Sequence, residues 1–128
     1  MKAYITCPVS HTQDKLNLLP EIEAIAKSKG IETFVFQIGG TPDKIFKRDY
    51  NQLKSCGLII AEVSERSHGV GIEIGMSYCL GLVRILLHQK GTYITPLAIG
   101  TPKTTIIEYE DLHDLKKKLS LTLDKYSA

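Results

Sequence analysis

Cysteine is scarce in this chain, and its placement excludes more than its number. Cys7, Cys56 and Cys79 are an odd set with wide spacings and no Cys-x-x-Cys pair. That argues against a disulfide scaffold and for a reduced intracellular protein with small buried thiols. Charge of one sign is also lacking. The formal net charge is +2 and the pI about 8.4, too weak a bias to imply a nucleic-acid polymer as partner. The one basic run, Lys116-Lys117-Lys118, falls in a helical pattern and reads as a solvated helix face. No apolar stretch is long enough to span a bilayer, so no membrane partner is expected. The first residues lack the layout of a secretory signal, and the expected location is the cytoplasm. His11, His68, His88 and His113 show no ligand spacing, so no metal is expected. A GxxxxGK[ST] loop is absent. Gly69–Gly75 (GVGIEIG) misses the GxGxxG dinucleotide fingerprint, because its third glycine falls one place late. No cofactor is expected.

What is present is the balance of a soluble globular domain: 128 residues, 43% hydrophobic and 23% charged. A single domain over residues 1–128 of this size buries roughly two-thirds of the surface its unfolded chain exposes, and needs no disulfide or metal to fold. Strand-like and helix-like segments alternate. Apolar or β-branched runs at residues 3–7, 32–36, 58–63, 84–88 and 104–109 predict five strands. Helical periodicity predicts helices over 14–29, from the Thr41-Pro42 cap to about Ser55, over 70–82 and over 110–126. A loop with one short helical turn lies between residues 89 and 103. Strict alternation implies an α/β fold with a parallel, doubly wound sheet and helices on both faces. The expected strand order is the flavodoxin-like 2-1-3-4-5. Its ligand crevice lies beyond the carboxyl ends of strands one and three, at residues 8–12 and 64–71.

Two residues break the apolar pattern beside that crevice. Segment 70–82 is apolar almost all the way round and carries a single charge, Glu73. A lone carboxylate in such surroundings is expensive unless paired or hydrogen-bonded. Either it complements the terminus of its helix, to whose first turn the pattern assigns it, or it is there to react. Gly69, Gly71 and Gly75 strip side chains from its neighbourhood and let a ligand approach. On the preceding helix, Phe46, Asp49, Tyr50 and Leu53 share one face, with Asp49 inside an apolar stripe. Asp49 either pairs with Lys47, Lys54 or, less favourably for adjacent residues, Arg48, or supplies a second carboxylate. Two carboxylates in one crevice suit glycosyl transfer, one as nucleophile and one to handle the leaving group. Ser67-His68-Gly69 is either a phosphate cradle or an ordinary helix cap. Cys7, at the mouth of the crevice, is a buried thiol or a nucleophile, and Glu62 is a structural pair or a catalytic group.

Residues 48–81, RDYNQLKSCGLIIAEVSERSHGVGIEIGMSYCLG, resemble the nucleoside 2-deoxyribosyltransferase superfamily, and most closely its 2′-deoxynucleoside 5′-phosphate N-hydrolase branch. The resemblance lies in an Arg-Asp pair, an apolar strand ending Ala-Glu-Val, and Ser-x-Gly-Val-Gly-x-Glu-x-Gly. It implies an enzyme that cleaves the N-glycosidic bond of a 2′-deoxyribonucleoside or its 5′-monophosphate. Glu73 would form a covalent deoxyribosyl intermediate, Asp49 would hold that carboxylate or the base and help protonate the leaving group, and Tyr4 would contact the reaction centre. It further implies a phosphate-binding Ser67 and a homodimer in which Thr95 reaches the partner's site. The first loop departs from the branch. Where the hydrolases carry a Gly-Ser-Ile-Arg-Gly-like stretch, this chain has Cys7-Pro8-Val9-Ser10-His11, with no arginine for a bidentate phosphate contact. Ser10 lacks that charge, which leaves His11, Arg66 and His68 as candidates to compensate. Pro8 is similar to the transferases, in which a second base rather than water is the acceptor. A non-catalytic nucleotide sensor on the same scaffold is the alternative from another class.

Overall fold

The computed structural model describes residues 1–127. Five strands form one sheet in the order β2-β1-β3-β4-β5, and every neighbouring pair is parallel. The strands are β1 (Lys2–Thr6), β2 (Glu32–Val35), β3 (Leu58–Glu62), β4 (Val83–Gln89) and β5 (Thr104–Tyr109). The helices are α1 (Leu19–Ser28), α2 (Pro42–Lys54), α3 (His68–Cys79), α4 (Pro96–Ile99) and α5 (Leu112–Leu123). The expected architecture, strand order and helical turn after β4 are all present. β3 is central and buried along its whole length, as its continuous apolar run requires.

Side chains alternate across each strand, so the sheet divides the core in two. Ile5, Leu58, Ile60 and Ile85 pack with Ile22 of α1 and Leu115 and Leu119 of α5. Tyr4, Ile59, Ala61 and Leu86 pack on the other side with Leu53 of α2, Val70 and Ile74 of α3 and Ala98 of α4. Burying a leucine or isoleucine of this kind contributes about 1.5–3 kcal/mol.

Helix ends differ from the sequence pattern for identifiable reasons. The predicted helix 14–29 opens as a 3-10 segment over Asp14–Leu18, and the α-helix begins at Leu19. Pro20 has no N–H to bond the carbonyl four residues back, so the ladder cannot run through it. The helix stops ahead of Gly30, whose φ of 77° lies in the left-handed region that glycine adopts freely. α5 starts after Asp111, whose carboxylate accepts from the Asp114 N–H at 2.8 Å. Thr41 occupies the cap of α2 without a side-chain bond to the helix. Its hydroxyl instead donates to Asp43 at 2.7 Å.

Candidate active site

The carboxyl end of β1, the loops after β2 and β3 and the helices α2 and α3 enclose a cavity of about 630 Å³. β1 supplies Thr6, the loop after β2 supplies Gln37 and Ile38, α2 supplies Phe46 and Asp49, and α3 supplies Gly69, Ile72 and Glu73. Its wall is mostly apolar, with the two carboxylates as its only charged side chains.

Glu73 is only 7% exposed and makes no ion pair among the described residues. Tyr4 and Thr6 stand two residues apart on β1 and so point to the same face. The Tyr4 hydroxyl, fully buried, donates to Glu73 Oε2. The Thr6 hydroxyl donates to Oε1 at 3.1 Å. Burial raises the affinity of Glu73 for its proton, the two hydroxyls oppose that rise and the charge of Asp49 adds to it, which leaves the group at about 7. Burial, and then the charge of Glu73, hold the Tyr4 phenol well above its ordinary value, so it remains a donor.

The helix-terminus reading of Glu73 is corrected. α3 begins at His68, capped by Ser67 Oγ accepting from Val70 N–H at 3.3 Å. Glu73 therefore lies in the second turn, where backbone N–H groups are already bonded within the helix and offer a carboxylate nothing. The glycine reading is narrowed as well. A helix turns about 100° per residue, so Gly69 shares the side of Glu73, whereas Gly71 and Gly75 face away from it. Gly69 lines the cavity, and a side chain at Gly71 or Gly75 would meet open space.

Asp49 lies across the cavity beside Phe46, as their spacing required. Its pairing with Arg48 forms after all, at 3.1 Å. Adjacent helical positions do not face each other, but the long guanidinium arm folds back far enough to reach. The same guanidinium donates to the carbonyls of Gln37 at 2.6 Å and Gly39 at 3.2 Å. Arg48 thus pins both the second carboxylate and the loop at the cavity's lip. Lys54 lies over the Tyr50 ring instead.

The remaining candidates separate. A second cavity, of about 520 Å³, lies on the other side of the start of α3 and contains Arg66, His68, Gly71, Tyr93 and Thr95. Ser67 and Val70 belong to both cavities. Arg66 lies over the Tyr93 ring. Ser10 and His11 are exposed and line neither cavity. Glu62 faces the opposite side of the sheet, where it accepts from Tyr109 and from Ser64 N–H and Oγ at 2.6 and 2.7 Å. This is a structural pairing. Burial, with Glu62 and Glu73 nearby, pushes the Cys7 thiol up to about 12, which leaves it protonated and unreactive. Cys7 and Cys56 are buried, but Cys79 is exposed on the open face of α3. No group of three or more His, Cys, Asp or Glu is gathered as a metal site among the described residues. No helix among them is long and apolar enough to cross a membrane. Thr6 is a neighbour of Glu73 that the sequence does not single out. A threonine is ordinary in a strand, and only its two-residue spacing from Tyr4 signalled it.

The class defined by this fold is the flavodoxin-like α/β domain, in which ligands bind beyond the carboxyl ends of the strands near the topological switch point. The chain superposes on the CMP N-glycosidase of Clostridium botulinum with a TM-score of 0.78, at 24% identity, over 96% of this chain and 100% of the other. It superposes on a 2-deoxyribosyltransferase of Bacillus psychrosaccharolyticus with a TM-score of 0.69, at 19% identity, over 93% and 96%. No protein-family model matches the chain. Among curated proteins, one of Syntrophotalea carbinolica, provisionally named a 2′-deoxynucleoside 5′-phosphate N-hydrolase, is 33% identical over 62% of this chain and 57% of its own length. A protein of the same name from Thermofilum pendens is 25% identical over 96% and 95%. The resemblance read in the sequence is thus matched: the chain is similar to curated proteins provisionally named 2′-deoxynucleoside 5′-phosphate N-hydrolases, and it shares the fold of the two solved structures. Its alignment with the first of these relatives spans little more than half of that protein's length.

Proposed function

We propose that this protein cleaves the N-glycosidic bond of 2′-deoxyribonucleosides or their 5′-monophosphates, with Glu73 as nucleophile. One observation carries the reading. A carboxylate sits buried at the wall of a nucleoside-sized cavity, without an ion pair, held by two hydroxyls and opposite a second carboxylate. An uncompensated acid of this kind costs stability, and its cost is accounted for by chemistry.

The ionised Glu73 attacks C1′, and the C1′–N bond breaks with its electron pair left on the base. The base takes up a proton, which Asp49 is placed to relay. Water then attacks C1′ of the ester, its hydroxyl stays on the sugar, and Glu73 leaves as carboxylate. The second proton of that water replaces the one given to the base. Gly69 leaves room for the sugar, and the apolar wall at Phe46 and Ile38 suits a planar base. A 5′-phosphate fits the junction of the two cavities at Ser67, with the Arg66 guanidinium and the His68 imidazole on either side of it in sequence. Exposed Ser10 and His11 contribute only if the first loop folds inward.

Base exchange is the second reading, favoured by Pro8 in the first loop. Incubation with a deoxynucleoside, with and without a second free base, separates the two. Hydrolysis releases free deoxyribose whether or not the second base is present. Exchange into the second base without free sugar would contradict it. A sensor would bind nucleotide and keep its function in Glu73→Ala. The reading includes a homodimer in the reducing cytoplasm, consistent with three free cysteines. Tyr78 of α3 and Leu97 and Ile99 of α4 are exposed apolar side chains, the last two on the helix that Thr95 caps. A second copy packed there covers them and brings its own Thr95 toward the site.

A further inference from the structure

We propose that Thr6 is a positioning residue for the reaction, fixing the plane of the Glu73 carboxylate so that its free lone pairs face the substrate cavity. This rests on the reading of Glu73 as nucleophile. Thr6 is the last residue of β1 and only 1% exposed. A valine would fill the same space and favour the same strand. The hydroxyl therefore needs another reason, and its only hydrogen bond among the described residues goes to Glu73 Oε1. Tyr4, two residues earlier on the same strand, takes Oε2. β1 is paired on both sides, with Tyr4 opposite Phe34 and Ile59 and Thr6 opposite Ala61. One rigid strand thus sets both oxygens. An ionised carboxylate has about four lone-pair sites, and these two donors leave one on each oxygen for the sugar.

Both hydroxyls donate, so both favour the ionised acid that can attack. The other titratable groups near Glu73 do not replace them. Asp49 on α2 repels its charge even with Arg48 beside it. Cys7, just past the end of β1, stays neutral.

The test follows Glu73 itself. Its carboxyl carbon, labelled with 13C and assigned with Glu73→Gln, is titrated by NMR in the wild type, Thr6→Val, Thr6→Ala and Thr6→Ser. The pH profile of kcat/KM is measured in parallel. Thr6→Val and Thr6→Ala should raise the Glu73 midpoint by about one pH unit and lower kcat/KM at every pH, the loss being about tenfold larger on the acidic side than at alkaline pH, where the acid is ionised but no longer held in its plane. Thr6→Ser should restore both. A midpoint and acidic limb unmoved in Thr6→Val and Thr6→Ala, while Glu73→Ala is inactive, overturn the role of Thr6 alone. Turnover retained in Glu73→Ala overturns the nucleophile reading on which it stands.

Discussion

In the proposed reaction Glu73 concentrates the chemistry in one side chain, and its environment sets measurable limits on it. Its reacting form is the anion, and its midpoint is pushed up to about 7. Activity should therefore fall about tenfold per pH unit below that value and level off above it. A profile flat from pH 5 to 8 would contradict this. Stability runs the other way. The folded acid holds its proton above the unfolded value of 4.5. Its contribution is thus fully present below pH 4.5 and lost as pH rises through about 7. Glu73→Gln should be more stable than the wild type at pH 8, by up to about 3 kcal/mol, and the gap should close toward pH 4 in urea melts. Removing the carboxylate as Glu73→Ala should cost at least about 10²–10³-fold in kcat/KM. Asp49→Asn, which keeps the shape but not the proton handling, should cost about 10²-fold.

Helix α3 carries the site, and its start is where local sequence and function overlap. Ser67→Ala removes the cap bond to Val70 and should lower stability by about 1 kcal/mol in denaturant titrations. Gly69→Ala should stabilise the helix by about 0.5–1 kcal/mol while raising KM, because its methyl group projects toward the cavity. Unchanged KM would remove Gly69 from the sugar's path. The elements themselves were legible because each strand is a largely apolar or β-branched run, α1, α2 and α5 each have a polar face, and α3 is a long apolar segment. The boundary of α3 was not. Ser67-His68-Gly69 reads equally well as loop or helix, and placing the start at Val70 put Glu73 in the wrong turn. The Arg48–Asp49 pair was hidden for a different reason. Helical spacing describes Cβ directions, and a long guanidinium arm can defeat it. The second cavity depends on how the loop after β4 packs beside α3, which no local pattern encodes.

At the scale of the whole molecule, α3 presents Glu73 to one side and an open apolar face to the other. Tyr78 of α3 is 54% exposed and Leu97 of α4 84% exposed, apolar surface of the kind that a partner covers. Light scattering after gel filtration should give a dimer, and the double substitution Leu97→Glu and Ile99→Glu, at exposed positions outside both cavities, should give a folded monomer. If Thr95 completes the partner's site, that monomer should also lose activity on nucleotides. A monomeric wild type of full activity would remove the second copy from the site.

The central claim is that the Glu73 carboxylate bonds to the sugar. Mass spectrometry of enzyme quenched with acid during turnover of a deoxynucleoside 5′-monophosphate, followed by peptide mapping, tests it directly. The peptide containing Glu73 should carry the mass of one deoxyribosyl group, and Glu73→Gln should carry none. Sustained turnover with that peptide unmodified, or the sugar attached to another residue, would contradict it.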